Sequence, residues 1–241
     1  MAIALVASTS GVGTDSSVTS GSIDTTGANL LVMNIAVDGG ATPTIADSKG
    51  NTWNALTSST LTVKNLMYYS IPTSVGSGHT FSNTGASNYC SLEVETFSGV
   101  HATPVDQQNG ATGTGSATLA TGSVTPSEDG ELVIAGLGFN ASGTTITING
   151  GFTKTHEVNF GGGNNYGSAM AYLIQTTATA ANPTWTRGAN VDAMAARIVT
   201  FKAAASSGPA NLKTYSGLAK ASVKTYNGLA IASWKTWNGL T

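Results

Sequence analysis

The sequence predicts an all-β chain: an internally duplicated, jelly-roll-like β-sandwich followed by a C-terminal arm of β-hairpin repeats. Three observations carry that expectation. Glycine is abundant, at 30 of 241 residues, and Ser, Thr and Asn fill most of the other polar positions. This mixture suits short strands joined by tight turns, because Gly and Asn supply positive φ while Thr and Val suit a pleated surface. Only 9% of residues are charged against 40% hydrophobic, the opposite of the balance that leaves a chain disordered. Finally, the body of the chain is written twice.

The strand signals appear in order as "NLLVMNIAVD", "NTWNAL", "NLMYYSI", "HTFS" and "YCSLEVETF", each bounded by Gly, Asn, Asp, Ser or Pro. The series then recurs. "GSIDTTGANLLVMNIAV" (21–37) is answered by "GSVTPSEDGELVIAGLGF" (122–139), "MYYSIPTSVGSGHTF" (67–81) by "MAYLIQTTATAANPTW" (170–185), and "EVETFSG" (93–99) by "RIVTFKA" (197–203). Ser22 matches Ser123, Tyr69 matches Tyr172, Phe81 matches Trp185 and Phe97 matches Phe201, at an offset that drifts only from 101 to 104. A nearly fixed offset along a whole chain marks a duplication. The expected organisation is a first sandwich half over 1–104, its duplicate over 105–204, a linker over 205–210 and a repeat arm over 211–241. No charged or Pro-rich linker parts the halves, which favours one compact unit over two sandwiches in tandem.

The order "LLVMNIAV … TIADSKGNTW … LMYYSIP … HTFS … SLEVETFSGV … PVD", closed by a second half ending "RIVTFKAA", resembles a β-sandwich module of tailed-phage virion proteins and bacterial surface proteins. The resemblance spans about residues 1–204. It implies a structural or adhesive role and brings no active site.

The arm repeats one phrase at a spacing of 11: Lys213, Lys224 and Lys235 share a column, as do Tyr215, Tyr226 and Trp237, and Leu218, Leu229 and Leu240. "YNGL" and "WNGL" are two-residue hairpin signals, since a type I′ turn needs positive φ at both central positions. Tyr226 and Leu229 are expected to flank such a turn as a cross-strand pair. Hairpins this short bury too little to stand alone, so the Tyr, Trp and Leu columns, with Trp234, must pack on something. Residues 202–241 hold five Lys and no acid, whereas residues 1–201 hold five basic and twelve acidic residues, so a +5 arm follows a −7 body. The arm is therefore expected to assemble or anchor the protein, on other virion proteins or on copies of itself as a homo-oligomer, a trimer among them. Five spaced Lys without Arg make a thin footprint for nucleic acid, which is not an expected partner. Phrases of this form are similar to C-terminal repeats in phage structural and tail-associated proteins.

Chemistry is sparse. His79, His101 and His156 fall in separate contexts with no His or Cys at metal-ligand spacing, no G-x-S-x-G elbow is present, and the single Cys90 excludes an intrachain disulfide. Glu93 and Glu95 are expected on a solvated strand face, and Glu128, Asp129 and Glu131 in a turn. "DSKGN" (47–51) reads as a β-turn; a calcium site from Asp47, Asn51 and Asp38 is the weaker alternative. Sugar-binding sandwiches use Trp or Tyr as stacking platforms, and here Trp53 and Tyr166 are the candidates for a host-surface glycan. "AIALVAS" after Met1 is too short for a signal core or membrane span, so no export signal and no membrane insertion are expected. The expected protein is a non-enzymatic phage virion component without cofactor or metal, a capsid decoration or a tail fibre or adaptor part. A carbohydrate-binding adhesin, extracellular or at the cell surface, is the alternative.

Overall fold

The computed structural model describes residues 2–13, 16–86, 89–140, 145–159 and 166–205, and in the arm the paired residues 214–215, 218–219, 225–226 and 229–230. The described chain is all-β. The first repeat runs β1 (Ala4–Gly13), β2 (Ser17–Thr19), β3 (Leu30–Asp38), β4 (Thr44–Asp47), β5 (Asn54–Ala55), β6 (Ser59–Thr60), β7 (Val63–Ser70), β8 (Phe81–Thr84) and β9 (Cys90–Ser98). The second runs β10 (Val100–Gly113), β11 (Ser116–Ala120), β12 (Leu132–Asn140), β13 (Ile146–Ile148), β14 (Thr153–Val158), β15 (Tyr166–Ile174), β16 (Thr184–Val191) and β17 (Ala193–Ala203).

Each repeat closes its own antiparallel sandwich. The first has a large sheet β1-β9-β3-β7-β5, with β6 also on β7, and a small sheet β2-β8-β4; the second has β10-β17-β12-β15-β14 and β11-β16-β13. The two orders are the same element for element. Alternation of consecutive strands between two sheets in this order is jelly-roll topology, here with β5 and β14 carried to the large sheet. Registers agree as well: Leu30 opposite Phe97 becomes Leu132 opposite Phe201, and Val32 opposite Tyr69 becomes Ile134 opposite Tyr172. The duplication expected from the sequence is thus a duplication of fold.

One matched pair shifts. The bridges Ile23–His79 and Val124–Ala181 are equivalent. Counting four residues on from each places Trp185 at the position of Asn83, where Asn83 pairs with Val18 and Trp185 with Leu119. Phe81 and Trp185 are therefore two residues out of step. A slip of two keeps the same face, and both rings are fully buried.

The halves share no strand, yet Ala2–Ala203 form one compact unit. The large sheets lie face to face in the middle, and each small sheet covers the outer side of its own large sheet. Alternation along β3 makes this explicit. Leu31, Met33, Ile35 and Val37 meet Val18 and Phe81 of the first small sheet, while Leu30 and Val32 meet Leu132, Ile134, Met170 and Phe201 of the other repeat. Likewise Leu137 and Phe139 of β12 pack with Ile146 and Trp185 inside the second sandwich. A sheet covered on both sides needs apolar residues at every position, which is why "LLVMNIAV" and "LVIAGLGF" read as unbroken runs.

The junction between repeats is Gly99, earlier than the expected boundary at 104/105, because β10 begins at Val100. Gly99 turns at φ +78°, and a Cβ there would collide with the Ala2 carbonyl oxygen, so only glycine fits.

The arm is a separate unit beginning at Ala204. Two of its three repeats have a described hairpin: β18 (Thr214–Tyr215) with β19 (Leu218–Ala219), and β20 (Thr225–Tyr226) with β21 (Leu229–Ala230). Tyr226 opposes Leu229, the pairing that its Asn-Gly phrase predicts, and Tyr215 opposes Leu218 in the repeat that has Ser-Gly instead. Lys213, Lys224, Trp234, Lys235, Trp237 and Leu240 lie outside the described residues.

Candidate functional site

Of the two residues nominated for sugar stacking, Tyr166 is ruled out by burial. It begins β15, at 3% exposure, and its hydroxyl donates to Asp38 Oδ2 at 2.6 Å. The same bond and that from the Gly40 N–H hold the Asp38 carboxyl below its usual range. The tyrosine lies inside the strand, between the two large sheets. Trp53 is half-buried. Its indole N–H donates to Asp47 Oδ2 at 2.8 Å and its ring meets Phe81 edge-on at 6.1 Å, so it lids the first core.

Around Trp53 the first repeat builds a dense polar knot. The turn after β4 is the β-turn expected of "DSKGN", with Gly50 at φ +74°. Asp47 Oδ1 accepts from the Lys49 N–H at 2.8 Å and sits 3.1 Å from His79 Nε2. Burial pushes the Asp47 carboxyl up, but its bonds from Lys49, Trp53, His79 and Asn51 outweigh this and leave it below the ordinary value. Burial holds the His79 imidazole down, against the pull of Asp47. His79 Nδ1 lies 2.9 Å from Thr25 Oγ1. Hydroxyl, imidazole and carboxylate thus stand in the sequence of a hydrolytic relay, but Thr25 and His79 are fully buried, and Thr25 Oγ1 is engaged with the Gly76 carbonyl and N–H. A nucleophile must reach substrate; this one closes a loop. Among the described residues no group of three or more His, Cys, Asp or Glu is placed to hold a metal ion.

Glu93 and Glu95 correct the sequence expectation most sharply. Both are fully buried, on the β9 face turned to the other repeat. Burial pushes each carboxyl up to about 8, with a further push on Glu93 from Glu157 and on Glu95 from Glu93. Geometry gives Glu93 its proton independently. Ser91 donates to the Tyr166 carbonyl at 2.7 Å, so the 2.6 Å contact between Ser91 and Ser168 must use the Ser168 proton. A hydroxyl has one proton. Ser168 can then only accept at its 2.7 Å contact with Glu93 Oε1, and Glu93 is the donor. Asn34 Nδ2 donates to the other oxygen at 2.8 Å. Glu95 Oε1 makes a 2.6 Å contact with Thr155 Oγ1, which also reaches the Met170 carbonyl at 3.2 Å. At the equivalent place to Glu93 the second repeat has Arg197, 6% exposed, bonded to Thr57 Oγ1 and lowered to about 10 by burial. These are polar fasteners between repeats. Glu131, read as a turn residue, is also buried, with Oε1 accepting from the Glu128 N–H at 3.1 Å.

No family model matches the chain, and no curated protein and no solved structure matches it either.

In the arm the described pairs repeat at a step of 11, an aromatic opposite a leucine in each. In the body, His101 Nδ1 accepts from the Thr103 N–H at 3.1 Å, and burial holds the His156 imidazole down on β14.

Proposed function

We propose that the chain is a non-enzymatic virion structural protein, a capsid decoration or a tail fibre or adaptor component. The duplicated sandwich is the displayed body, and the arm anchors or oligomerises it. The observation that carries this is the arm itself. Each described hairpin has two residues per strand, and an isolated hairpin of that size is not stable in water. Three copies at a fixed step with aligned aromatic, leucine and lysine columns make a surface that gains order only against another surface, with lysines steering it toward an acidic acceptor. The acidic body of a second copy is one such acceptor.

Light scattering on the full chain beside a chain ending at Ala204 tests this. The expected result is an oligomer for the full chain and a folded monomer for the shorter one, with Tyr226→Ala plus Trp237→Ala in the full chain also giving a monomer. Equal monomer masses for full and shortened chains, together with no binding to co-expressed virion proteins, would sink the proposal.

A further inference from the structure

The two repeats differ at one place in a way that opens a cavity. In the first, the turn after β4 is stitched to the loop between β7 and β8. Asn51 Oδ1 accepts from the N–H groups of Thr73 and Ser74 at 2.9 and 3.0 Å, Asn51 Nδ2 donates to the Ser74 carbonyl at 2.9 Å, and Lys49 Nζ donates to the Ser77 carbonyl at 2.9 Å. In the second, the equivalent turn is Asn149-Gly150-Gly151-Phe152, with Gly150 at φ +75° and Gly151 at φ +79°. Glycines carry nothing to reach across. Between that turn and the β15–β16 loop lies a cleft of about 360 Å³.

Its lining is mixed but uncharged. Asn149, Gln175, Thr177, Thr179 and Asn182 supply amides and hydroxyls, Phe152 supplies a half-buried ring beside aliphatic side chains of β15 and the β15–β16 loop, and no charged residue among the described ones lines it. Gln175 anchors the cleft wall. It is 8% exposed, its Nε2 reaches the Thr179 carbonyl at 3.2 Å, and its Oε1 has no hydrogen-bond partner. The loop is already set in place: Asp129 Oδ1 accepts from the Ala178 N–H at 2.8 Å, and the Gln175 N–H donates to the Glu131 carbonyl at 2.9 Å.

We infer that this cleft binds a neutral sugar, about one or two pyranose rings in size. Vicinal hydroxyls pair with amides that both donate and accept, and the apolar face of a pyranose packs on an aromatic ring. The absence of lining charge disfavours acidic or phosphorylated ligands, and the volume sits toward the small end of ligand sites. The site is distinct from Trp53 and Tyr166 and does not depend on the arm.

Ligand-observed NMR on the full chain, with glucose, galactose, N-acetylglucosamine and their β-linked dimers as probes, tests it, beside an array of immobilised neutral glycans. Saturable binding is expected, about tenfold weaker in Asn182→Ala and abolished in Thr177→Trp, which fills the cleft from an exposed position. Both variants should keep the parent melting temperature. Binding to free sugars identifies a monosaccharide or disaccharide ligand; binding on the array alone identifies the tip of a surface glycan. No saturable binding in either format, or binding that both variants leave unchanged, overturns the inference.

Discussion

Asn34 and Gly136 hold the same place in the two repeats and meet each other across the central interface, where a Cβ on Gly136 would fall well inside contact distance of Asn34 Oδ1. Two positions on, Gly138 meets Ala36 in the same way, its Cβ position 3.2 Å from that of Ala36. Equivalent residues touching each other is what a local two-fold axis between repeats requires. The asparagine is fixed, since Asn65 Nδ2 donates to its Oδ1 at 2.8 Å while its own Nδ2 serves Glu93 and reaches the Ala169 carbonyl at 3.3 Å. Gly136→Ala should therefore cost about 1–3 kcal/mol by denaturant unfolding, as overpacking does. In Asn34→Ala the same change should cost much less, because the obstruction has gone. Equal costs in both backgrounds would place the strain elsewhere.

The buried acids set a pH dependence. Glu93 and Glu95 are protonated in the folded protein up to about 8, against an ordinary value of 4.5. Their contribution to stability is complete below about pH 4.5, where both states are protonated. It declines as pH rises, because the unfolded chain releases protons the folded chain keeps, and it is lost above about 8. His79 and His156, lowered by burial, act oppositely below their ordinary 6.5, so the clean window lies between about 6.5 and 8. Unfolding free energy should fall across it. Glu93→Gln, which can donate to Ser168 and accept from Asn34, should flatten the fall and raise stability at pH 8. A parent protein of constant stability across the window would mean that the pair is ionised when folded.

Asn51 ties the β7–β8 loop to the turn after β4. Its side-chain oxygen accepts from the N–H groups of Thr73 and Ser74. Asn51→Ala should speed amide exchange at Thr73 and Ser74 by about tenfold or more while leaving the amides of β3 and β9 unchanged, with a stability loss of about 1–3 kcal/mol. Slow exchange at Thr73 in the variant would mean that the loop is held by packing.

Much of this was legible in the residues, and the exceptions share a cause. The duplicated succession of strands could be read because "LLVMNIAV" and "LVIAGLGF" stand at matching offsets, and the Tyr226–Leu229 pair because Asn-Gly favours a particular turn. Glu93 and Glu95 were misplaced because alternation in "SLEVETF" describes a strand with one wet face. That strand pairs with β3, which has no polar face to spare, so a partner with a solvated face was inconsistent from the start. The unbroken run was the available signal: it means both sides of the sheet are covered, its neighbours included. Tyr166 differs from expectation for a related reason: composition around a tyrosine does not say whether its ring faces solvent or the neighbouring sheet. The cleft at Gln175 had no sequence signal, since it arises from side chains that the second turn lacks.

Trp185 allows a test of how a buried polar atom is tolerated. It is fully buried in the second sandwich core, and its Nε1 has no hydrogen-bond partner. An indole in that state contributes area and packing but leaves a donor desolvated, at about 1–3 kcal/mol. Trp185→Phe removes the unpaired N–H and some volume together, so the two effects oppose each other. The change should cost less than about 1.5 kcal/mol, whereas Trp185→Ala, with no such relief and a large void, should cost about 3–5 kcal/mol. Since Asn83 takes this position in the first repeat, between Val18 and Ile45, the site has already held a far smaller side chain when its surroundings differ. Urea unfolding of the two variants decides the matter. If Trp185→Phe proves as damaging as Trp185→Ala, the indole N–H is satisfied in solution and its value to the core is that of a bonded donor.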